Sequence, residues 1–423
     1  MFRNLFSTTQ SGNNTKLSYQ DITWALGLYG TAVGAGTLFL PINAGIGGFF
    51  PLLVMSIIAF PLTYFSHLGL TRLVLSGSSK KIDFTEVVKE HFGKKTGGFI
   101  TVLYFFAIYP ILLVYSVAIT NTVSSFMIHQ LQVSPPPRII LSGILVFILM
   151  LLARYEKDFI VKIMSVLVFP FIIALIVLTI FLIPHWNSAI LSQSIASNNH
   201  FWQTIWLAIP VMIFSFNHSP IISSFAVSQR NKYGEEAEAK CNKILKISNS
   251  LMVITVMFFV FSCVFSLSPA DLAIAKQQNI SILSYLANHF DNPIFNYAAP
   301  LIAFIAISKS FLGHYLGAEE GLNSIVIKTL ASSNKTINPK RLDNITTLII
   351  GITAWIVATL NPSILSMIEA LGGPIIAVLL FLLPMYAIYK VPSLHKYAKQ
   401  PSNIFVIFIG CIALSAMFYN LIF

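Results

Sequence analysis

The sequence predicts an all-α polytopic membrane protein with about eleven transmembrane helices. Three observations carry that prediction. Hydrophobic residues make up 56% of the 423 and charged residues 10%, with a mean hydropathy of +0.78, far too apolar for a soluble globular chain. Apolar runs of about 20 residues recur from end to end, and a helix rising about 1.5 Å per residue needs that length to cross the hydrocarbon. Basic residues gather in alternate connections, as expected of a chain that crosses repeatedly.

The expected spans are 22–42, 48–75, 97–128, 137–154, 159–184, 202–227, 244–267, 294–325, 343–360, 363–389 and 403–422. Residues 1–20 hold Arg3 and Lys16 among polar side chains, without the apolar centre of a signal peptide, and read as a cytosolic tail. Arg72, Lys80, Lys81, Lys89, Lys94 and Lys95 lie between spans 2 and 3. Arg154, Lys157 and Lys162 follow span 4, and Arg230, Lys232, Lys240, Lys243 and Lys246 follow span 6. Lys328, Lys335, Lys340 and Arg341 follow span 8, and Lys390, Lys396 and Lys399 follow span 10. The opposite connections hold Arg138 and Lys276 alone. That asymmetry puts the N-terminus in the cytoplasm and, with an odd span count, the C-terminus outside. The net charge of +11 is therefore topological and calls for no nucleic acid.

Span 1 is interrupted by VGAGTLFLP, residues 33–41. Gly34, Gly36 and Pro41 are poor helix formers, and Thr37 adds a hydroxyl at mid-depth. Two readings suit such a stretch: close helix packing through small residues, or irregular backbone lining a cavity, where freed amides hold an anion. After span 2, Phe84, Val87, Val88 and Phe92 share one face of a short amphipathic helix along the cytosolic surface. Span 3 carries Tyr109 and Tyr115 at depth, where a phenol needs a partner and either faces a polar cavity or bonds locally. Pro135, Pro136 and Pro137 form an outer turn, while Pro170 and Pro184 mark a kink in span 5 and its end.

Span 6 repeats the anomaly of span 1. Ser215-Phe216-Asn217-His218-Ser219-Pro220 sits at its centre, too polar to face lipid, so it marks a site or an inward cavity, unless it serves helix–helix hydrogen bonding. In the segment 269–291, Ile280, Leu283, Leu286, Ala287 and Phe290 have helical spacing and suit an amphipathic lid over the outer face. Span 8 carries Ser308-Lys309-Ser310, and span 10 carries Glu369 before Gly372-Gly373-Pro374. Ionisable groups inside spans are functional candidates by default. Cys241, Cys263 and Cys411 lack metal-ligand spacing and read as packing residues.

Interrupted helices at the corresponding positions of two five-helix halves point to an inverted-repeat secondary transporter. The divisions that follow are 1–20 (tail), 21–184 (first repeat), 201–389 (second repeat) and 402–423 (eleventh helix). No HExxH motif or nucleophile–base pair favours an enzyme, and no repeated pore motif favours a channel.

GAGTLFLP (34–41), SFNHSPIISSFA (215–226), SKSFLGHYLGAEEG (308–321) and EALGGPIIA (369–377) resemble the hydroxy/aromatic amino acid permease family, within the amino acid–polyamine–organocation superfamily. The match looks nearest to its bacterial serine/threonine branch and runs from about Tyr19 to the C-terminus. The resemblance implies the leucine-transporter-type fold, a 5+5 inverted repeat with broken helices 1 and 6 plus one further helix, and import of an amino acid with protons across the inner membrane. Aromatic permeases share the architecture, so an aromatic or other neutral substrate stays open, as does sodium coupling.

Under this resemblance Gly34, Ala35, Gly36 and Thr37 offer amides to the substrate carboxylate. Ser215, Phe216, Asn217, His218 and Ser219 line the side-chain pocket with Tyr115, and Asn217 and Ser219 suit a hydroxyl. His218 is also a candidate proton carrier. Sodium-dependent proteins of this fold hold a cation between span 1 and span 8. Lys309, flanked by Ser308 and Ser310, falls in that neighbourhood, and its ammonium can stand in for the metal. Burial disfavours a charged lysine and makes it a candidate for proton coupling, the alternative being a structural lysine paired with a carboxylate. Glu369 suits an outer gate or proton acceptor, or a structural partner. The expected partners are an amino acid, protons and membrane lipid, with no cofactor and no metal.

Overall fold

The computed structural model describes residues 17–78, 84–154, 157–192, 198–332 and 334–422. Arg3, Lys16 and most of the expected tail lie outside the described residues, as do Lys80, Lys81, Asp83 and the side chains of Lys157 and Lys162. Among the described residues every element is helical. The first half comprises α1 (Tyr19–Ala32), α2 (Leu40–Ile46), α3 (Phe49–Leu75), α4 (Phe84–His129), α5 (Arg138–Arg154) and α6 (Lys157–Leu182). Next come α7 (Asn198–Ser215), α8 (Ile222–Tyr233), α9 (Ala237–Ser266), α10 (Pro269–Gln277) and α11 (Ile282–His289). The chain ends with α12 (Ala299–Ser332), α13 (Pro339–Leu360), α14 (Ile364–Lys390) and α15 (Pro401–Ile422).

Among the described residues, seven helical stretches are long and apolar enough to cross a membrane, or eight when the bent pair α1–α2 counts as one span. Phe169–His185 is a shorter apolar helix. Phe99, Phe147, Ile173, Ile254, Leu301, Leu348 and Ile404 are all exposed on the outside of the bundle. Apolar surface on this scale suits hydrocarbon rather than water, and the protein is an integral membrane protein.

Within α4 the amphipathic segment 84–92 is a helix of its own, separated from span 3 by a kink at Gly93, whose φ of +85° is left-handed and favours glycine. Phe84, Val87 and Val88 are buried, as their shared face requires. The connections gather into two sets. At a basic end, Arg72 pairs with Glu238 at 3.0 Å, Arg154 donates to Asn344 at 2.7 Å, Lys232 pairs with Asp21 at 3.5 Å, and Lys328 approaches Glu86 at 3.8 Å. At the opposite, lid end, Arg138 and Asn279 both donate to Asn361 Oδ1 at 3.0 Å, and Gln130 reaches Asn288 at 3.0 Å. Exposed ion pairs stabilise little; their value here is in showing which loops share an end.

The expected lid is two short helices, α10 and α11. Ser268 and Asp271 form a capping box on α10, and Ser281 caps α11. Ile280, Leu283, Leu286 and Ala287 point into the protein and are buried, with Phe290 half-buried. Burial alone pushes the Asp271 carboxyl up, but hydrogen bonds from Ser268 and Tyr285 outweigh it and hold the group below its ordinary value. Cys241 and Cys263 are buried and unbridged, in keeping with packing roles.

Candidate functional site

The span 1 break is a gap between α1 and α2. Val33 leaves the helical ladder, residues Ala35–Leu38 form a single 3₁₀ turn, and Pro41 falls in the first turn of α2, where its missing N–H costs nothing. The halves are bent by 52°. Close approach explains both glycines. A Cβ at Gly34 would lie 2.4 Å from Ser310 Oγ, and one at Gly36 would lie 2.8 Å from the Phe214 ring and 3.3 Å from Ser215 Cα. Thr37 is buried and donates to the Gly34 carbonyl at 2.6 Å, satisfying one acceptor that the break frees.

The span 6 break lies directly against it. Helix α7 ends at Ser215, a 3₁₀ turn spans Ser219–Ile221 with Pro220 inside it, and α8 resumes at Ile222. Ser215 Oγ donates to the Gly36 carbonyl at 3.1 Å, so the second break satisfies one acceptor that the first one frees. Phe216 is buried in the core. Asn217 Oδ1 accepts the Ser219 N–H at 3.0 Å, which commits that oxygen to holding the turn. Asn217 and Ser219 also line a cleft with Leu70, Tyr104 and Ser223. His218 is fully buried and stacks on His67 of α3, with ring centroids 3.5 Å apart.

Helix α12 closes the site. Ser310 lies against Gly34 and takes a hydrogen bond with the Tyr115 hydroxyl of α4. Its carbonyl meets His314 Nδ1 at 2.8 Å, and His314 packs edge-on to Tyr115 at 5.1 Å. Lys309, 6% exposed, donates to the Gly30 carbonyl in the last turn of α1 at 2.7 Å. Neighbouring residues on a helix face different directions, so the lysine and its flanking serines serve different neighbours. Ser308 Oγ is buried and finds no partner among the described residues. Among the described residues no carboxylate forms an ion pair with Lys309.

Glu369 is not part of this cluster. It sits in a π-turn of α14, Ile368–Gly372, and accepts from Asn43 Nδ2 of α2 at 2.9 Å. Four residues that the sequence analysis does not assign to the site belong to it or border it: Asn43, His67, Phe214 and His314. An imidazole inside span 2 or span 8 is itself a signal under the rule for intramembrane ionisable groups. Phe214 carries none, being one apolar residue among many. Among the described residues no group of three or more metal-ligating side chains assembles.

The fold is shared with a solved manganese transporter mutant from Eremococcus coleocola, at a TM-score of 0.59 and 14% identity, covering 100% of this chain and 98% of that one. At so low an identity the likeness concerns the fold alone. The serine transporter SdaC of Escherichia coli (strain K12) is 63% identical over 406 residues, 95% of each chain. The threonine/serine transporter TdcC of Yersinia enterocolitica is 48% identical over 423 residues, covering 95% of this chain and 96% of that one. Residues 22–422 match the tryptophan/tyrosine permease family. With that match spanning nearly the whole chain and the two breaks meeting at its centre, the protein belongs to the tryptophan/tyrosine permease family, on its serine/threonine branch, and is a permease rather than an enzyme.

Proposed function

We propose that the protein is a proton-coupled symporter that imports L-serine, L-threonine or both across the bacterial inner membrane. The observation that carries this is the meeting of the two breaks, with Ser215 Oγ on the Gly36 carbonyl. Amides released around Gly34, Ala35, Gly36 and Thr37 suit a carboxylate, and carbonyls released in both breaks suit an ammonium. The names of the two relatives support a hydroxy amino acid. The architecture we infer is eleven spans, two five-helix repeats over 21–184 and 201–389 with an eleventh helix at 402–423, the N-terminus cytoplasmic and the C-terminus outside. Under that orientation the basic end is cytoplasmic and the cleft beside Asn217 faces inward.

Protonated Lys309 braces α1 against α12 in this scheme, and loss of its proton toward the cytoplasm releases the brace. Glu369 and Asn43 form an outer gate between α14 and α2. Uptake of each amino acid into proteoliposomes, with proton and sodium gradients imposed separately, tests the function. Serine or threonine accumulates with acid outside and no sodium. Strict sodium dependence, or accumulation of aromatic amino acids alone, defeats the assignment.

Two substitutions probe the periphery of the site. In Asn217→Ala the Ser219 amide loses its acceptor and the cleft loses a polar wall. The preference for serine over alanine should then fall by about tenfold, the equivalent of one hydrogen bond; unaltered discrimination removes Asn217 from the pocket. Glu369→Gln keeps the shape and a carbonyl acceptor for Asn43 but loses the charge. Uptake should slow several-fold, on the order of 1 kcal/mol in the barrier, with unchanged thermal stability. Full proton-driven uptake would leave Glu369 a structural partner.

A further inference from the structure

Two imidazoles lie face to face at the gap between α7 and α8, and the scheme above uses neither. His67 and His218 are 1% and 0% exposed, with ring centroids 3.5 Å apart and planes 6° from parallel. Their partners fix the protons. Backbone carbonyls only accept, so His67 Nδ1 donates to Thr63 at 2.7 Å and His218 Nδ1 donates to Phe216 at 3.1 Å. Both Nε2 atoms are then bare in the neutral pair. His67 Nε2 accepts the His218 backbone N–H at 3.1 Å. His218 Nε2 is buried and has no partner among the described residues.

Counting bonds assigns the next proton. On His67 Nε2 it would set an N–H against an N–H and take the acceptor from the His218 amide. On His218 Nε2 it breaks nothing. Two stacked cations at this spacing repel strongly, so the neutral pair can take up at most one further proton.

The charges on the packed helices are engaged elsewhere. Arg72 pairs with Glu238, Arg230 binds the carbonyls of Val74 and Gly77, and Glu369 holds Asn43. Among the described residues no carboxylate forms an ion pair with either imidazole. An imidazolium here thus has no counter-ion among the described residues, and a buried cation without one is costly. An anion brought to the breaks removes that cost.

We propose that His218 Nε2 is a proton-binding site completed by the carboxylate of the bound amino acid, with His67 as its positioning residue. One proton moves from water to the Nε2 lone pair as substrate binds. One N–H bond forms, and the same proton returns to water when the carboxylate leaves. Such a site presupposes the transport function proposed above and is independent of Lys309.

Serine binding to the purified full-length protein, measured calorimetrically in two buffers of different ionisation enthalpy, reads the protons taken up per serine. Between about pH 6 and 8, around the ordinary imidazole range, wild type and Lys309→Met should both take up a fraction of a proton. His218→Gln should take up none. In His67→Gln the side-chain oxygen still accepts the His218 amide, and the uptake should persist with a shifted pH midpoint. Wild-type binding without proton uptake, or undiminished uptake by His218→Gln, overturns the site; absence of any serine binding overturns the transport function with it. A variant that fails to fold leaves a second measurement. In ¹⁵N-histidine spectra of wild type, serine should convert one imidazole from singly to doubly protonated, and unchanged imidazole signals overturn the proposal.

Discussion

Gly36→Val should lose serine binding by about a hundredfold or more, roughly 2.7 kcal/mol, in a protein that still inserts and folds. A Cβ at this position would lie 2.8 Å from two atoms of the Phe214 ring and 3.3 Å from Ser215 Cα. The ring can turn, but Ser215 Cα is backbone, and the branched carbons of valine lie beyond the Cβ. Relief must come from moving the end of α7 away from the span 1 break. That motion gives up the 3.1 Å bond from Ser215 to the Gly36 carbonyl and parts the two breaks. Gly27→Ala is the matched control, because a Cβ there has nothing within 4 Å. Equilibrium binding of labelled serine to purified protein decides, and unchanged affinity in the valine variant would show that the junction is structural only.

Lys309→Met should abolish concentration of serine against its gradient, bringing the accumulation ratio to about one, while some serine–serine exchange continues. Methionine preserves most of the apolar stem over Phe171, whose ring centre is 5.8 Å from Nζ. It deletes the 2.7 Å bond to the Gly30 carbonyl. A hydrogen bond to a charged group contributes about 1.5–3 kcal/mol, enough to change how firmly α1 rests on α12. The measurement is uptake into proteoliposomes with acid outside. If the variant accumulates serine as wild type does, Lys309 carries no coupling role.

Much of this centre is visible along the chain because its signals are local. Glycine, proline and threonine inside an apolar run disclose the first break, and five polar or helix-breaking residues among six disclose the second. Ser310, a polar residue inside an apolar span, lies against Gly34 of the first break and bonds with Tyr115. The pairings are a different matter. His218 meets His67 across 151 residues, and Glu369 meets Asn43 across 326; no periodicity encodes a contact at such separations. Asn217 illustrates a subtler gap. Its residue type suits a substrate hydroxyl, yet its oxygen already serves the Ser219 amide, which only the local backbone path reveals. The short amphipathic helix before span 3 is legible from the shared face of Phe84, Val87 and Val88, whereas the sharpness of the kink at Gly93 is a matter of backbone angles that no side-chain pattern encodes.

Helix α14 carries two π-turns, Ile368–Gly372 and Val378–Leu382, on either side of Gly373–Ala377. A π-turn is an α-helix that has absorbed one extra residue, and one residue amounts to about 100° of rotation. Dropping a residue from an ordinary span turns every later side chain off its neighbours. Dropping one from either π-turn restores a plain helix and leaves both flanks facing as before. Descendants of this chain therefore have room to gain or lose single residues near Glu369, and alignments in this stretch should carry gaps more readily than in the plain α-helical spans.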